Sequence, residues 1–164
     1  MDHTRLRRLI APLLAGSVVF ASAGVAAADE PGDYTLDAAS CLVFDAEGND
    51  VDAVPPGSTM TIIEGWFAKT RGQSQSFANN ATWVLELNGT QVDLLPYLSG
   101  LIDLRPFGWA QFFAYPGGTL GVGQELHTHY DNILKSANFD GRTHYKQGSV
   151  FGGGVDCTVT VANP

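Results

Sequence analysis

The sequence predicts an all-β domain, an antiparallel β-sandwich of about seven to nine strands. Three observations carry this. Helical periodicity is nearly absent after residue 28, apolar residues alternate in short runs, and 19 Gly and 8 Pro punctuate the chain. Alternation between frequent turn residues is the pattern of half-buried strands.

The elements follow in order. Residues 34–44 read as one strand with Cys41 and Val43 on one face. Glu47-Gly48-Asn49 turns the chain, residues 50–54 return, and Pro55-Pro56-Gly57 breaks it. The strongest strand is 58–68, where Met60, Ile62 and Trp66 point inward and Glu64 is the exception. Residues 70–80 are polar and read as a loop. In 81–87, Trp83, Leu85 and Leu87 share a face, and Asn88-Gly89 then suits a type I′ hairpin because both residues tolerate positive φ. Strand 90–94 returns. Residues 95–108 hold two Pro and two Gly and read as a long loop, with one helical turn around 98–104. Strand 109–115 is ended by Pro116-Gly117-Gly118, and 119–124 form a turn. In 125–134, Leu126, Thr128 and Tyr130 share one face while His127, His129 and Asp131 share the other. Residues 136–148 are loop-like, and 155–162 close the chain as a strand with Val155, Cys157, Val159 and Val161 on one face.

Residues 1–28 read as a secretory signal peptide. Arg5, Arg7 and Arg8 precede an apolar run that ends in Ala26-Ala27-Ala28, which places cleavage after Ala28. Arg7-Arg8 admits twin-arginine export as well as the general route. The expected location is extracellular. The remaining 136 residues, 29–164, form one domain with six basic and 16 acidic side chains, a net charge near −10. So few cations argue against a nucleic-acid binder. No apolar run of 18 or more follows residue 28, so no membrane span is expected.

Cys41 and Cys157 are the two cysteines of the chain. In an oxidising compartment an even count implies a disulfide, here with one intramolecular pairing available. Each is placed on the apolar face of its strand, so the bridge would join the first strand to the last.

Gly65-Trp66, Trp83-Val84-Leu85-Glu86-Leu87-Asn88-Gly89, Gly118-Thr119-Leu120-Gly121-Val122-Gly123 and Asp140-Gly141 follow one another in an order that resembles small secreted bacterial proteins with an immunoglobulin-like sandwich. The resemblance spans 34–163 and rests on turn chemistry. It implies that fold and, by analogy, a binding or surface role. A bridge between terminal strands departs from antibody-type domains.

His127-Thr128-His129 is the sharpest chemical motif. Residues two apart on a strand point the same way, so two imidazoles could chelate Zn²⁺ or Cu²⁺ with Asp131 or His144. The competing reading is a solvent-facing strand edge. Residues 45–52 superficially resemble a Ca²⁺ loop but lack a bidentate Glu at the twelfth position, and a charged hairpin turn explains them. Paired carboxylates for glycoside hydrolysis could come from Glu64 and Glu86, both on predicted strands. No G-x-S-x-G occurs, and Ser99 and Ser149 have no base nearby in sequence. Asn80-Ala81-Thr82 and Asn88-Gly89-Thr90 match glycosylation sequons.

Trp66, Trp83 and Trp109 read as core. Phe67 and Phe112 are either exposed, forming a patch, or covered by the 95–108 loop. The long stretches 70–80, 95–108 and 135–148 carry Phe77, Tyr97, Phe107, Phe139, His144 and Tyr145. Long loops on a rigid sheet are where function usually lies. Tyr97, Phe107, Phe139 and Tyr145 are the candidate binding residues. The sequence therefore points to an exported non-enzymatic binding or cell-envelope domain, with a protein or glycan partner and no cofactor. The alternative is a small exported metal-binding protein or metalloenzyme using His127 and His129 with His144 or Asp131.

Overall fold

The structure is a computed structural model that describes residues 30–148 and 153–162. The signal peptide expected over 1–28, and Ser149, lie outside the described residues. The order is β1 (Asp33–Asp37), β2 (Leu42–Phe44), β3 (Asp50–Val51), β4 (Ser58–Ala68), α1 (Arg71–Asn80), β5 (Ala81–Leu87), β6 (Thr90–Val92), a 3₁₀ turn (Leu95–Tyr97), β7 (Ile102–Asp103), β8 (Trp109–Leu120), β9 (Glu125–Leu134), β10 (Asn138–Phe139), β11 (His144–Tyr145) and β12 (Val155–Thr160).

Six strands form one sheet in the order β3-β2-β1-β4-β8-β7, four form a second in the order β12-β9-β5-β6, and β10-β11 is a separate hairpin. Every pairing is antiparallel except β1 with β4. Both large sheets contribute to one core. Leu36, Met60, Ile62 and Phe113 come from the six-stranded sheet, and Leu85, Leu126, Tyr130, Cys157 and Val159 from the four-stranded one. A parallel bridge between Val54 and Val161 ties the end of the chain to the segment after β3. No helix among the described residues is long and apolar enough to cross a membrane.

Several sequence expectations change. Residues 34–44 are two strands, because residues 38–41 turn between β1 and β2 and Cys41 adopts φ 57°. Cys41 is exposed in this turn rather than on a strand's apolar face, and Cys157 alone is in the core. The Cys41–Cys157 disulfide therefore joins the first turn to the last strand, with Cα atoms 5.3 Å apart.

Residues 70–80 are a helix. Thr70 caps it and Gln73 completes a capping box, with Thr70 Oγ1 accepting from Gln73 N and Gln73 Oε1 accepting from Thr70 N. Its single apolar anchor, Phe77, is fully buried and stacks on Trp66 at 3.9 Å, building a second small core with Ala68, Ala81 and Leu134.

β8 runs through Pro116 to Leu120. Met60 pairs with Gly118 and Thr61 with Pro116, so Gly117 is the extra residue of a bulge, a place where a strand tolerates proline. The stretch 95–108 has its helical turn at Leu95–Tyr97, three residues before the expected position, and then adds β7.

Candidate functional site

Three polar clusters and one loop cluster compete for function. The first is the outer face of the four-stranded sheet. β9 alternates as expected, with Leu126, Thr128 and Tyr130 buried and His127 exposed. It is an interior strand, flanked by β12 and β5, not an edge. His129 is paired on both ring nitrogens, with Asp156 Oδ1 2.7 Å from Nδ1 and Asp131 Oδ2 3.1 Å from Nε2. These two carboxylates raise its pKa above the ordinary imidazole value, the Asp156 hydrogen bond contributing most. Asp131 also accepts a hydrogen bond from Gly154 N. His127 meets Thr158 Oγ1 at 3.0 Å and Glu125 Oε2 at 3.2 Å. His144 is elsewhere, on β11, so it does not join this face. Among the described residues no group of three or more His, Cys, Asp or Glu is arranged to hold a metal ion. The imidazoles here act as cross-strand links.

The second cluster is internal. Glu64 keeps the inward register that the sequence flagged, between buried Ile62 and Trp66. It accepts hydrogen bonds from Gly65 N at 2.8 Å and Ala39 N at 3.2 Å. Buried Asp37 accepts from Ala39 N and Ser40 N. The two carboxylates thus gather the turn that carries Cys41. The buried hydroxyl of Tyr130 has its pKa pushed up, by burial first and then by the Glu64 charge. Glu86 is on β5 opposite His129, on the outer face of the other sheet. Glu64 and Glu86 therefore do not flank a common substrate space.

Residues 45–52 form a self-capped turn. Asp45 accepts from Glu47 N, Asn49 N and Asn49 Nδ2. Oδ1 is spent on the backbone, the Asx-turn role of short acids, and Oδ2 on the Asn49 side chain. The two sequon asparagines differ in how their side-chain amides are engaged. Asn80 is bonded to Ser136 through both Nδ2 and Oδ1, and Asn88 Oδ1 accepts from His127 N in a positive-φ turn.

The aromatic question divides. Phe112 is buried edge-on against Phe67, with Leu104 packed on the pair. Ser99 fastens the covering segment, since Ser99 N donates to Phe112 O and Phe112 N to Ser99 Oγ. The 95–108 stretch therefore covers this face. Trp66 is core, Trp83 lies at the core margin, and Trp109 sits under Arg71 at 5.6 Å.

Of the candidate binding residues, Tyr145 is packing: its ring meets Trp66 edge-on and its hydroxyl donates to Asp140 Oδ2 at 3.0 Å. Tyr97 is exposed with its ring edge-on to Tyr115, and Phe107 is exposed. Phe139 is 38% exposed and stacks flat on His144 at 4.3 Å. That pair borders a shallow recess of about 430 Å³ between α1 and the β10–β11 hairpin, lined also by Gly72, Gln73, Ser76 and Asn138. A larger groove of about 620 Å³ opens beside β6, with Trp83, Val92, Leu94 and Leu98 on its walls. Periodicity could not show this groove, because it depends on how the two sheets meet at β6. Comparison with known protein families, curated proteins and solved structures finds no match to the chain.

Proposed function

We propose that this is an exported binding domain with an immunoglobulin-like sandwich, acting at the cell envelope without catalysis. The fold reading is supported by two largely antiparallel sheets around one core and by the Cys41–Cys157 bridge. Export is supported by the basic-then-apolar start of the sequence and by a disulfide, which persists in oxidising compartments.

The observation that carries the binding role is the exposed Phe139–His144 stack beside the α1/β10–β11 recess. An exposed aromatic next to convergent polar groups on a fixed hairpin has the composition of a recognition surface. Catalytic alternatives lack this openness, because Glu64, Asp37, Asp45 and His129 are engaged in holding turns and strands. Tyr97 and Phe107 extend the exposed aromatic set on the 95–108 connection.

Co-sedimentation with cell envelopes of the source organism tests this. Wild type should pellet, and the variant Tyr97→Ser/Phe107→Ser/Phe139→Ser should remain in the supernatant with its fold intact by circular dichroism. Equal pelleting of the folded variant, or no pelleting of wild type, refutes the reading.

A further inference from the structure

The chain is strongly acidic, yet its cations are not spread evenly. Segments 69–80 and 135–148 hold five of the nine Lys and Arg residues and one of the 17 acids. The five are Lys69, Arg71, Lys135, Arg142 and Lys146, and all are exposed. The one acid, Asp140, is buried and engaged: Oδ1 accepts from Arg142 N and Thr143 N, and Oδ2 from Tyr145.

The fold brings the two segments together. Lys69 N donates to Asp140 O, and Lys69 Cβ lies where a side chain at Gly141 would begin. Arg142 follows Gly141, and Lys146 follows His144 by two residues. Lys135 lies at the far end of α1, where its N–H donates to Asn80 O. None of the five makes an ion pair with a described carboxylate. In a chain with so many acids, a group of unpaired cations is an electrostatic feature with a field of its own.

Two further observations point to a ligand. α1 is capped by Thr70 and has no acidic residue in its first turn, so no carboxylate offsets the partial positive charge of its N-terminus. Asn138, over nine-tenths buried, lines the recess: its Oδ1 accepts from Ser76 Oγ at 3.2 Å, while its amide Nδ2 has no hydrogen-bond partner. The recess also offers Ser76 and the flat face of the Phe139–His144 stack.

We infer that this end of the molecule binds an acidic polysaccharide, a polymer of uronate-type sugars. The cations and helix terminus meet the carboxylates, the stack takes an apolar sugar face, Ser76 Oγ accepts from a sugar hydroxyl and Asn138 Nδ2 donates to one. A DNA strand would meet the same cations, but its deoxyribose offers no 2′-hydroxyl to the polar wall of the recess. This inference rests on the proposed binding surface and adds its ligand class.

Isothermal titration of the full oxidised mature chain at low ionic strength tests it, with polygalacturonate, neutral dextran and single-stranded oligo-dT as probes. Polygalacturonate should bind, more tightly than oligo-dT, and dextran should not. The variant Lys69→Gln/Arg142→Gln/Lys146→Gln should lose at least tenfold in affinity for polygalacturonate. Phe139→Ser should weaken polygalacturonate more than any residual oligo-dT binding. No polygalacturonate binding, equal binding of oligo-dT, or an unaffected folded triple variant overturns the inference. If envelope co-sedimentation persists while polygalacturonate fails, the ligand class alone is wrong; if co-sedimentation fails too, the surface is wrong.

Discussion

Gly65 offers a sharp test of the packing. It lies on β4 opposite Phe112, and a Cβ built there would stand 2.0 Å from Phe112 Cδ1 and 2.3 Å from Cε1. Its φ is not in the left-handed region, so Gly65→Ala is sterically, not conformationally, forbidden. The Phe112 ring cannot yield easily: it is 8% exposed, meets Phe67 edge-on at 5.1 Å and lies against Leu104. Overpacking of this kind costs about 1–3 kcal/mol, and full ejection of a Phe ring costs about the same. Relief of glycine's backbone entropy returns about 0.5–1 kcal/mol. We expect a net loss of about 1–2 kcal/mol, read from the urea midpoint by Trp fluorescence. For a domain of this size that is a drop of about 2–8 °C in Tm. In a Phe112→Ala background, itself less stable by about 3–5 kcal/mol, the same Gly65→Ala change should be neutral or stabilising. Equal penalties in both backgrounds would refute the contact.

Other predictions follow from the cross-links. The Cys41–Cys157 bridge closes a sequence separation of 116, for which the chain-entropy model gives about 5 kcal/mol, so Cys157→Ala should lose about 2–5 kcal/mol in urea denaturation. Thr70→Ala removes the helix cap and should lower stability by about 1 kcal/mol, whereas Thr70→Ser should retain most of it. His129 has a folded pKa raised by Asp156 and Asp131, with Glu86 facing it from β5. Its contribution is therefore fully present below the ordinary value of 6.5 and is lost as pH rises through the raised folded value. The gap in urea midpoint between wild type and His129→Gln should be larger at pH 5 than at pH 9, and a pH-independent gap would contradict the pairing.

Much of the sheet structure was legible because alternation is a local signal. Leu126, Thr128 and Tyr130 face the core while His127 faces solvent, as period two requires. Glu64 broke the pattern in sequence, and the structure explains it by the Ala39 and Gly65 amides it receives. The helix shows no apolar stripe in the sequence, because Phe77 is its one large apolar side chain; the signal present is Thr70-x-x-Gln73, a capping box. Pro116 looked like a strand end, but the bulge at Gly117 accommodates it, and a bulge depends on the partner strand. Cys41 does not stay on a strand with Val43, because the reversal at residues 38–41 depends on Asp37 and Glu64, the latter distant in sequence. The candidate surface was half legible. Phe139 and His144 were marked individually, but their stacking and the convergence of Lys69 with Arg142 required the β10–β11 hairpin to fold back on α1.

If the inferred surface is right, ligand meets the α1/β10–β11 end rather than the histidine-bearing sheet face. Backbone amide chemical-shift mapping with polygalacturonate tests it directly. The account predicts perturbations concentrated on Lys69, Gly72, Ser76, Asn138, Phe139, Arg142, His144 and Lys146. Shifts centred instead on His127, His129, Asp131 and Asp156, or no localised shifts at saturating ligand, would contradict it.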